Sequence, residues 1–181
     1  MNDVPKDSDI NLVEPTIQYK EAILDYKDEF ARDNEYISGS ASLGSADTFE
    51  AWLANVQNEE NLVAFSHGRV PATEYLVIKK SDGKLVGMVS IRHELNTYLT
   101  QYGGHIGYSV RKSERRKGYA TQMLGLALKY CRSLGISKVL ITCDKENLGS
   151  GSVIKINGGR LENEVIDKEG IITQRYWITL T

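Results

Sequence analysis

The run Arg115-Arg116-Lys117-Gly118-Tyr119-Ala120 constrains this chain more than any other stretch, because strand-like Ile106-Gly107-Tyr108-Ser109-Val110 leads into it and a helical pattern leaves it. A strand that turns through a glycine-containing corner into a helix leaves the first N–H groups of that helix without intrahelical partners. With the positive end of the helix dipole behind them, those groups converge on one point and suit a phosphate or diphosphate. Basic charge gathers at the same place: five of the seven residues from Arg111 to Lys117 are Arg or Lys, against one acidic residue, Glu114. The plain alternative is a solvated charge run ahead of an ordinary surface helix.

Upstream of that corner, Tyr19, Ile23, Tyr26 and Phe30 recur at spacings of three and four and predict an amphipathic helix over 16–31. Residues 38–45 are too small and glycine-rich for a regular element. A second helix is expected after Asp47, with Asp47 and Glu50 as a candidate capping box and Phe49, Trp52, Leu53 and Val56 inward. Strand-like 74–78, the turn Ser81-Asp82-Gly83-Lys84 and a returning strand over 85–92 are followed by a polar link over 95–104. With 106–110 they form an antiparallel meander.

Downstream, the helix from Gly118 turns Met123, Leu124, Ala127, Leu128, Cys131 and Leu134 to the core, and Gly135 stops it. A strand over 138–142, a short helix over 150–157 ended by Gly158-Gly159, and a hairpin pairing 161–166 with 171–180 complete the chain.

A chain of 181 residues, 41% hydrophobic, supports one substantial core, so a single domain over 1–181 is expected. A net charge of -2 argues against a general nucleic-acid binder while leaving room for the local basic patch. The polar N-terminus lacks an apolar segment and no run reaches the 18 residues of a membrane span, which predicts a soluble, cytoplasmic protein with no membrane partner. Cys131 and Cys143, the only cysteines, are expected to be unbridged, and no metal site is indicated.

The order helix, helix, three strands, helix, strand, helix, two strands, together with the basic turn, resembles the GNAT superfamily of acyl-CoA-dependent N-acyltransferases over nearly the whole chain. The family turn R/Q-x-x-G-x-G/A is matched by Arg115, Gly118 and Ala120. The resemblance implies an α/β (α+β) fold: a mixed, mostly antiparallel central sheet flanked by helices, with a splayed central strand pair. It also implies acetyl-CoA as cofactor. Arg115, Arg116, Lys117, Gly118, Tyr119, Ala120 and Thr121 then form the diphosphate turn, and Ser109 and Val110 offer strand backbone to the pantetheine arm. Asn147 resembles the asparagine that contacts that arm, although an asparagine before a helix serves equally as its cap. Ser150 stands where alanine is frequent, and Gly158-Gly159 where Gly-Phe is expected. A dinucleotide-binding Rossmann unit fits less well, because its glycine-rich turn follows an early parallel strand rather than an antiparallel meander.

The catalytic groups are less defined. Relatives commonly place a tyrosine general acid where this chain has Ile154, which cannot donate a proton. His105 enters the strand where an acidic residue is frequent and is a candidate base, its ordinary pKa lying near neutrality. Asp144 and Glu74 are further catalytic candidates, with His93 in reach from a neighbouring strand; Arg92 could bind an acceptor carboxylate. Nothing in the sequence pairs Cys143 with a base, so direct attack in a ternary complex is expected rather than a cysteine acyl-enzyme. The reading is acetyl transfer from acetyl-CoA to a primary amine of a small molecule, with a peptide acceptor ranked behind it. A coenzyme-binding or sensing module without strong catalysis is the alternative, and homodimers are permitted by the resemblance.

Overall fold

The computed structural model describes residues 8–59 and 68–180. Along the chain it forms strand β1 (Ile10–Val13), helices α1 (Lys20–Arg32) and α2 (Phe49–Glu59), strands β2 (Ala72–Lys79), β3 (Leu85–Arg92) and β4 (Ile106–Val110), helix α3 (Tyr119–Ser133), strand β5 (Lys138–Asp144), helix α4 (Leu148–Ile156), and strands β6 (Arg160–Ile166) and β7 (Ile172–Thr179). Strands β1-β2-β3-β4 make one antiparallel sheet and β5-β7-β6 a second. Helices α1 and α2 cover one face of the larger sheet, and α3 covers the other.

Strand β3 is buried nearly throughout because both of its faces are covered. Opposite β2, Val77 pairs with Gly87 but Ile78 with Leu85, so Val86 is an extra residue that bulges the strand. The bulge re-aims the side chains. Leu85 and Met88 both join the core beneath α1 and α2, while Val86 and Val89 both pack toward α3. A spacing of three on each face is impossible in a regular strand, where the period is two.

Several boundaries differ from the sequence expectation for identifiable reasons. Strand β1 is absent from it: Ile10-Asn11-Leu12-Val13 has little local signal and is held as a strand by its pairing to β2, from Ile10↔Lys79 to Val13↔Leu76. Helix α2 is capped by Thr48, whose Oγ1 accepts from the Ala51 N–H at 3.1 Å, one residue after the expected Asp47. Glu50 instead pairs with Lys20 at 2.5 Å. Leu134 is exposed, since α3 ends at Ser133 and the chain turns through Gly135 with φ +78°. The polar link before β4 contains a π-helical turn, Leu99–Gly103.

Between the sheets, β4 and β5 share no ladder. They touch at one end only: the His105 N–H donates to Leu140 O at 2.7 Å, and the Leu140 N–H donates to His105 Nδ1 at 2.9 Å. Gly104, at φ +64°, allows this approach, because a Cβ there would lie 2.6 Å from Leu140 O. From the junction both strands run forward and apart, which is the splayed pair expected.

Candidate active site

The separation of β4 and β5 opens two cavities that meet at Tyr36, Ser38, Tyr108, Asn147 and Ser150. The larger, about 750 Å³, is walled by the turn 115–121, the end of β4 and the start of α4. The smaller, about 230 Å³, lies between β4, the end of β5 and the segment after α1. At their junction the Tyr108 and Ser150 hydroxyls are 2.8 Å apart. Burial pushes the Tyr108 phenol up to about 12, so its proton stays in place at neutral pH.

The turn into α3 leaves a row of backbone donors unpaired. Arg116 and Gly118 both adopt left-handed backbone, φ +65° and +85°, and the first helical bond runs from the Gln122 N–H to Gly118 O. The backbone N–H groups from Arg116 through Thr121 consequently have no acceptor among the described residues. Arg116, Gly118, Tyr119, Ala120 and Thr121 all line the larger cavity, and no protein atom lies within 4 Å of where a Gly118 Cβ would stand. This donor set and open cradle fit a diphosphate. Exposed Leu148 and Ile156 supply apolar wall to the same cavity.

Most of the basic run has another use. Arg111 reaches Asp25 at 2.7 Å and Glu29 at 2.5 Å, with its guanidinium over the Tyr26 ring, and so fastens α1 to the end of β4. Lys112 pairs with Asp33 at 3.1 Å. Arg115 donates through Nε to Val110 O at 2.9 Å and pairs with Glu35, whose carboxyl it holds below the usual range. Lys117 pairs with Glu114 at 2.9 Å and does not line the cavity. Glu114 also meets Lys84 at 2.7 Å, and bonds from the two lysines lower its carboxyl to about 2. Arg116 alone among these cations has no ion pair among the described residues. The partners Asp25, Glu29 and Asp33 recur every four residues along α1 and its C-cap, a legible signal that an acidic helix face would meet the basic run.

Ser109 is buried and its hydroxyl lies 3.1 Å from the Tyr26 hydroxyl, so its side chain serves the core while Ser109 and Val110 backbone borders the larger cavity. Asn147 Oδ1 accepts from the Ser150 N–H at 3.0 Å and caps α4; the same residue lines both cavities. Cap and cavity wall are thus compatible.

The catalytic candidates are not brought together. Asp144 is exposed and lines the smaller cavity. His105 lines neither cavity; burial, and then the charge of Arg92, lower its pKa to about 4, and its Nδ1 already accepts from Leu140. A neutral ring with that nitrogen committed has no lone pair for an incoming amine. Glu74 also lies outside both cavities, beside Ser90, and burial pushes its carboxyl up to about 8. His93 Nε2 is 2.8 Å from Thr73 Oγ1. Ile154 is fully buried in the core, where it offers nothing to either cavity. Cys143 lines the smaller cavity, but burial raises its thiol pKa, which disfavours a thiolate; Cys131 is buried in the core, and both are unbridged. Tyr108, at the meeting of the cavities, is the residue sequence reasoning missed: it reads as an ordinary strand aromatic until Ser150 is brought to it from 42 positions away.

Among the described residues no group of His, Cys, Asp and Glu is arranged to hold a metal ion, and no helix is long and apolar enough to cross a membrane. No curated protein matches the chain significantly. Solved structures do. RimL, a ribosomal L7/L12 alpha-N-protein acetyltransferase in complex with coenzyme A, is 20% identical with a TM-score of 0.71, covering 98% of this chain and 97% of its own. An acetyl transferase from Salmonella typhimurium that modifies the N-terminal serine of L7/L12 is 21% identical with a TM-score of 0.66, covering 98% and 99%. The microcin C7 self immunity acetyltransferase MccE, in complex with acetyl-CoA and AMP, is 20% identical with a TM-score of 0.62, covering 96% and 94%.

Two of these three proteins act on a protein N-terminus, which corrects the expectation that ranks a peptide acceptor behind a small molecule. The fold does not by itself favour a small acceptor. The model of the acetyltransferase (GNAT) domain matches residues 10–160, from β1 to the start of β6, and the chain therefore belongs to the GNAT superfamily of acetyltransferases.

Proposed function

We propose that this protein transfers an acetyl group from acetyl-CoA to a primary amine, with a peptide or protein N-terminal amine as the acceptor. The observation that carries the reading is the row of unpaired N–H groups from Arg116 to Thr121, in a turn whose residues other than Lys117 line a cavity that meets a second one at Tyr108 and Ser150. One cavity suits the coenzyme and the other the acceptor. Bound there, acetyl-CoA supplies an activated acetyl thioester.

The chain's own groups do the rest by placement. The turn amides bind diphosphate oxygens, with the Arg116 side chain adding charge. Tyr108 Oη and Ser150 Oγ hold protons at the meeting point of the cavities, where negative charge develops during acyl transfer. Asp144 is the carboxylate in the acceptor cavity, suited to orient the amine or accept its proton through water. Direct attack is favoured over an acyl-enzyme because Cys143 lacks a base and has a raised pKa. The N-terminal acceptor is supported by the names of the two ribosomal-protein acetyltransferases.

A coenzyme-binding module without turnover is the second reading, favoured by Ile154, which is buried in the core at the position where the family resemblance implies a proton donor. Incubating the protein with acetyl-CoA, a set of N-terminal peptides and a set of small primary amines separates the two. Acetylated peptide with matching thiol release is the expected result. Bound coenzyme with no product from any amine would refute the enzyme reading.

A further inference from the structure

We propose that Arg92 is a specificity residue of the smaller cavity, selecting amine acceptors that carry a carboxylate on the first or second residue. The inference rests on the acetyltransferase reading above and deepens it. Arg92 is the last residue of β3 and a wall of that cavity, together with Tyr36, Tyr102, Thr142, Asp144 and Thr173. Its Nη1 donates to Gly103 O at 2.9 Å and Gly104 O at 3.0 Å, while Nη2 lies 3.4 Å from where a Gly107 Cβ would stand. Gly107 carries no side chain there, and its backbone and that of Gly39 border the cavity beside Arg92.

The charge of Arg92 is unbalanced where it stands. No carboxylate comes within ion-pair distance of it among the described residues, in contrast to Arg111, Arg115 and Arg175, each of which has one. Burial lowers its pKa, the sign of a cation short of compensation. Glu74 is the carboxyl whose charge acts most on it, but Glu74 makes no ion pair with it, and burial raises the Glu74 carboxyl and so disfavours its charged form. A half-buried guanidinium retained without a protein counter-ion is costly, and an acceptor carboxylate would supply both the charge and the second edge of a bidentate pair. Asp144, exposed on the opposite strand end of the same cavity, carries the charge that suits the amine. One cavity therefore presents a cation and an anion to a ligand that has the opposite two.

Two matched peptide pairs test this: tripeptide amides with aspartate or asparagine as first residue, and the same pair with the substitution at the second. Each is assayed for acetyl transfer and, independently, for binding to the coenzyme-loaded protein by calorimetry. The expected result is a preference of about tenfold or more for the aspartate member of at least one pair, in kcat/KM and in affinity. Arg92→Gln should bring that ratio to about one, and Arg92→Lys should keep part of it, with the coenzyme Kd unchanged in both. A merely structural Arg92, pinning Gly103 and Gly104, would lower melting temperature and all acceptors equally while leaving the ratio intact. Equal affinity of wild type for both members of both pairs would overturn the proposal, as would an unchanged ratio in Arg92→Gln. Absence of acetyl transfer with a persisting difference in affinity would sink the enzyme reading and leave Arg92 as the anion contact.

Discussion

Replacing Gly118 with valine separates backbone strain from ligand exclusion. Gly118 sits at φ +85°, ψ 0°, where an L residue costs about 1–2 kcal/mol. No protein atom lies within 4 Å of its added Cβ, so packing adds nothing to that strain. For a chain of this length the loss corresponds to a fall in melting temperature of about 2–8 °C. The strain is common to free and bound protein and leaves the coenzyme Kd untouched. What changes the Kd is the isopropyl group standing in the open cradle. Losing even one amide bond to a charged diphosphate oxygen costs about 1.5–3 kcal/mol, a Kd increase of roughly 10- to 150-fold. Gly170→Val is the matched control: φ +83°, equally uncrowded, and in the β6–β7 turn outside both cavities. Calorimetric titration with coenzyme A, beside thermal melts, should show similar destabilisation of the two variants and weakened binding in Gly118→Val alone. If Gly118→Val binds the coenzyme as tightly as Gly170→Val, the turn is not the diphosphate site.

Two buried groups make pH predictions of opposite sign. Burial pushes the Glu74 carboxyl from its ordinary 4.5 up to about 8, so between those values the native state holds more protons than the unfolded state and stability falls as pH rises, by at most about 1.4 kcal/mol per pH unit; Glu74→Gln should flatten that slope in urea melts from pH 5 to 8, and an unchanged slope would refute the assignment. His105, lowered from 6.5 to about 4, favours the neutral ring, so its contribution is present above pH 6.5 and is lost as pH falls toward 4; its ring resonances should titrate near 4, and a midpoint at or above 6 would contradict its bond from Leu140.

The sequence made the long-period elements legible because their signals are local. The spacing of Ile23, Tyr26 and Phe30, the run into Gly135, and the strand–turn–helix corner at Gly118 each specify an element without reference to the rest of the chain. Strand β1 escaped because four residues at a sheet edge owe their conformation to β2. The bulge at Val86 escaped because a two-residue pairing against Val77 and Ile78 leaves no mark in composition. In the site, the diphosphate turn was readable as a contiguous motif, whereas the spatial placement of Tyr108 against Ser150 is a long-range fact. His105 was readable as a titratable strand residue but not as the partner of Leu140. The five clustered cations looked like a ligand surface because the acidic partners of three of them, Arg111, Lys112 and Arg115, lie some 80 positions away on α1 and just after it, and only folding pairs them.

The pair of hydrogen bonds between His105 and Leu140, in place of a ladder between β4 and β5, has a mechanical consequence. Where a backbone ladder would fix spacing along its whole length, a peg at one end fixes only the pivot. A small rotation of the far ends of β4 and β5 about His105 and Leu140 would break no strand pairing, and the core that α3 shares with both sheets sets its limit. The cleft thus resembles a pair of tongs riveted at the base, whose grip on a long, thin guest adjusts without disturbing either handle.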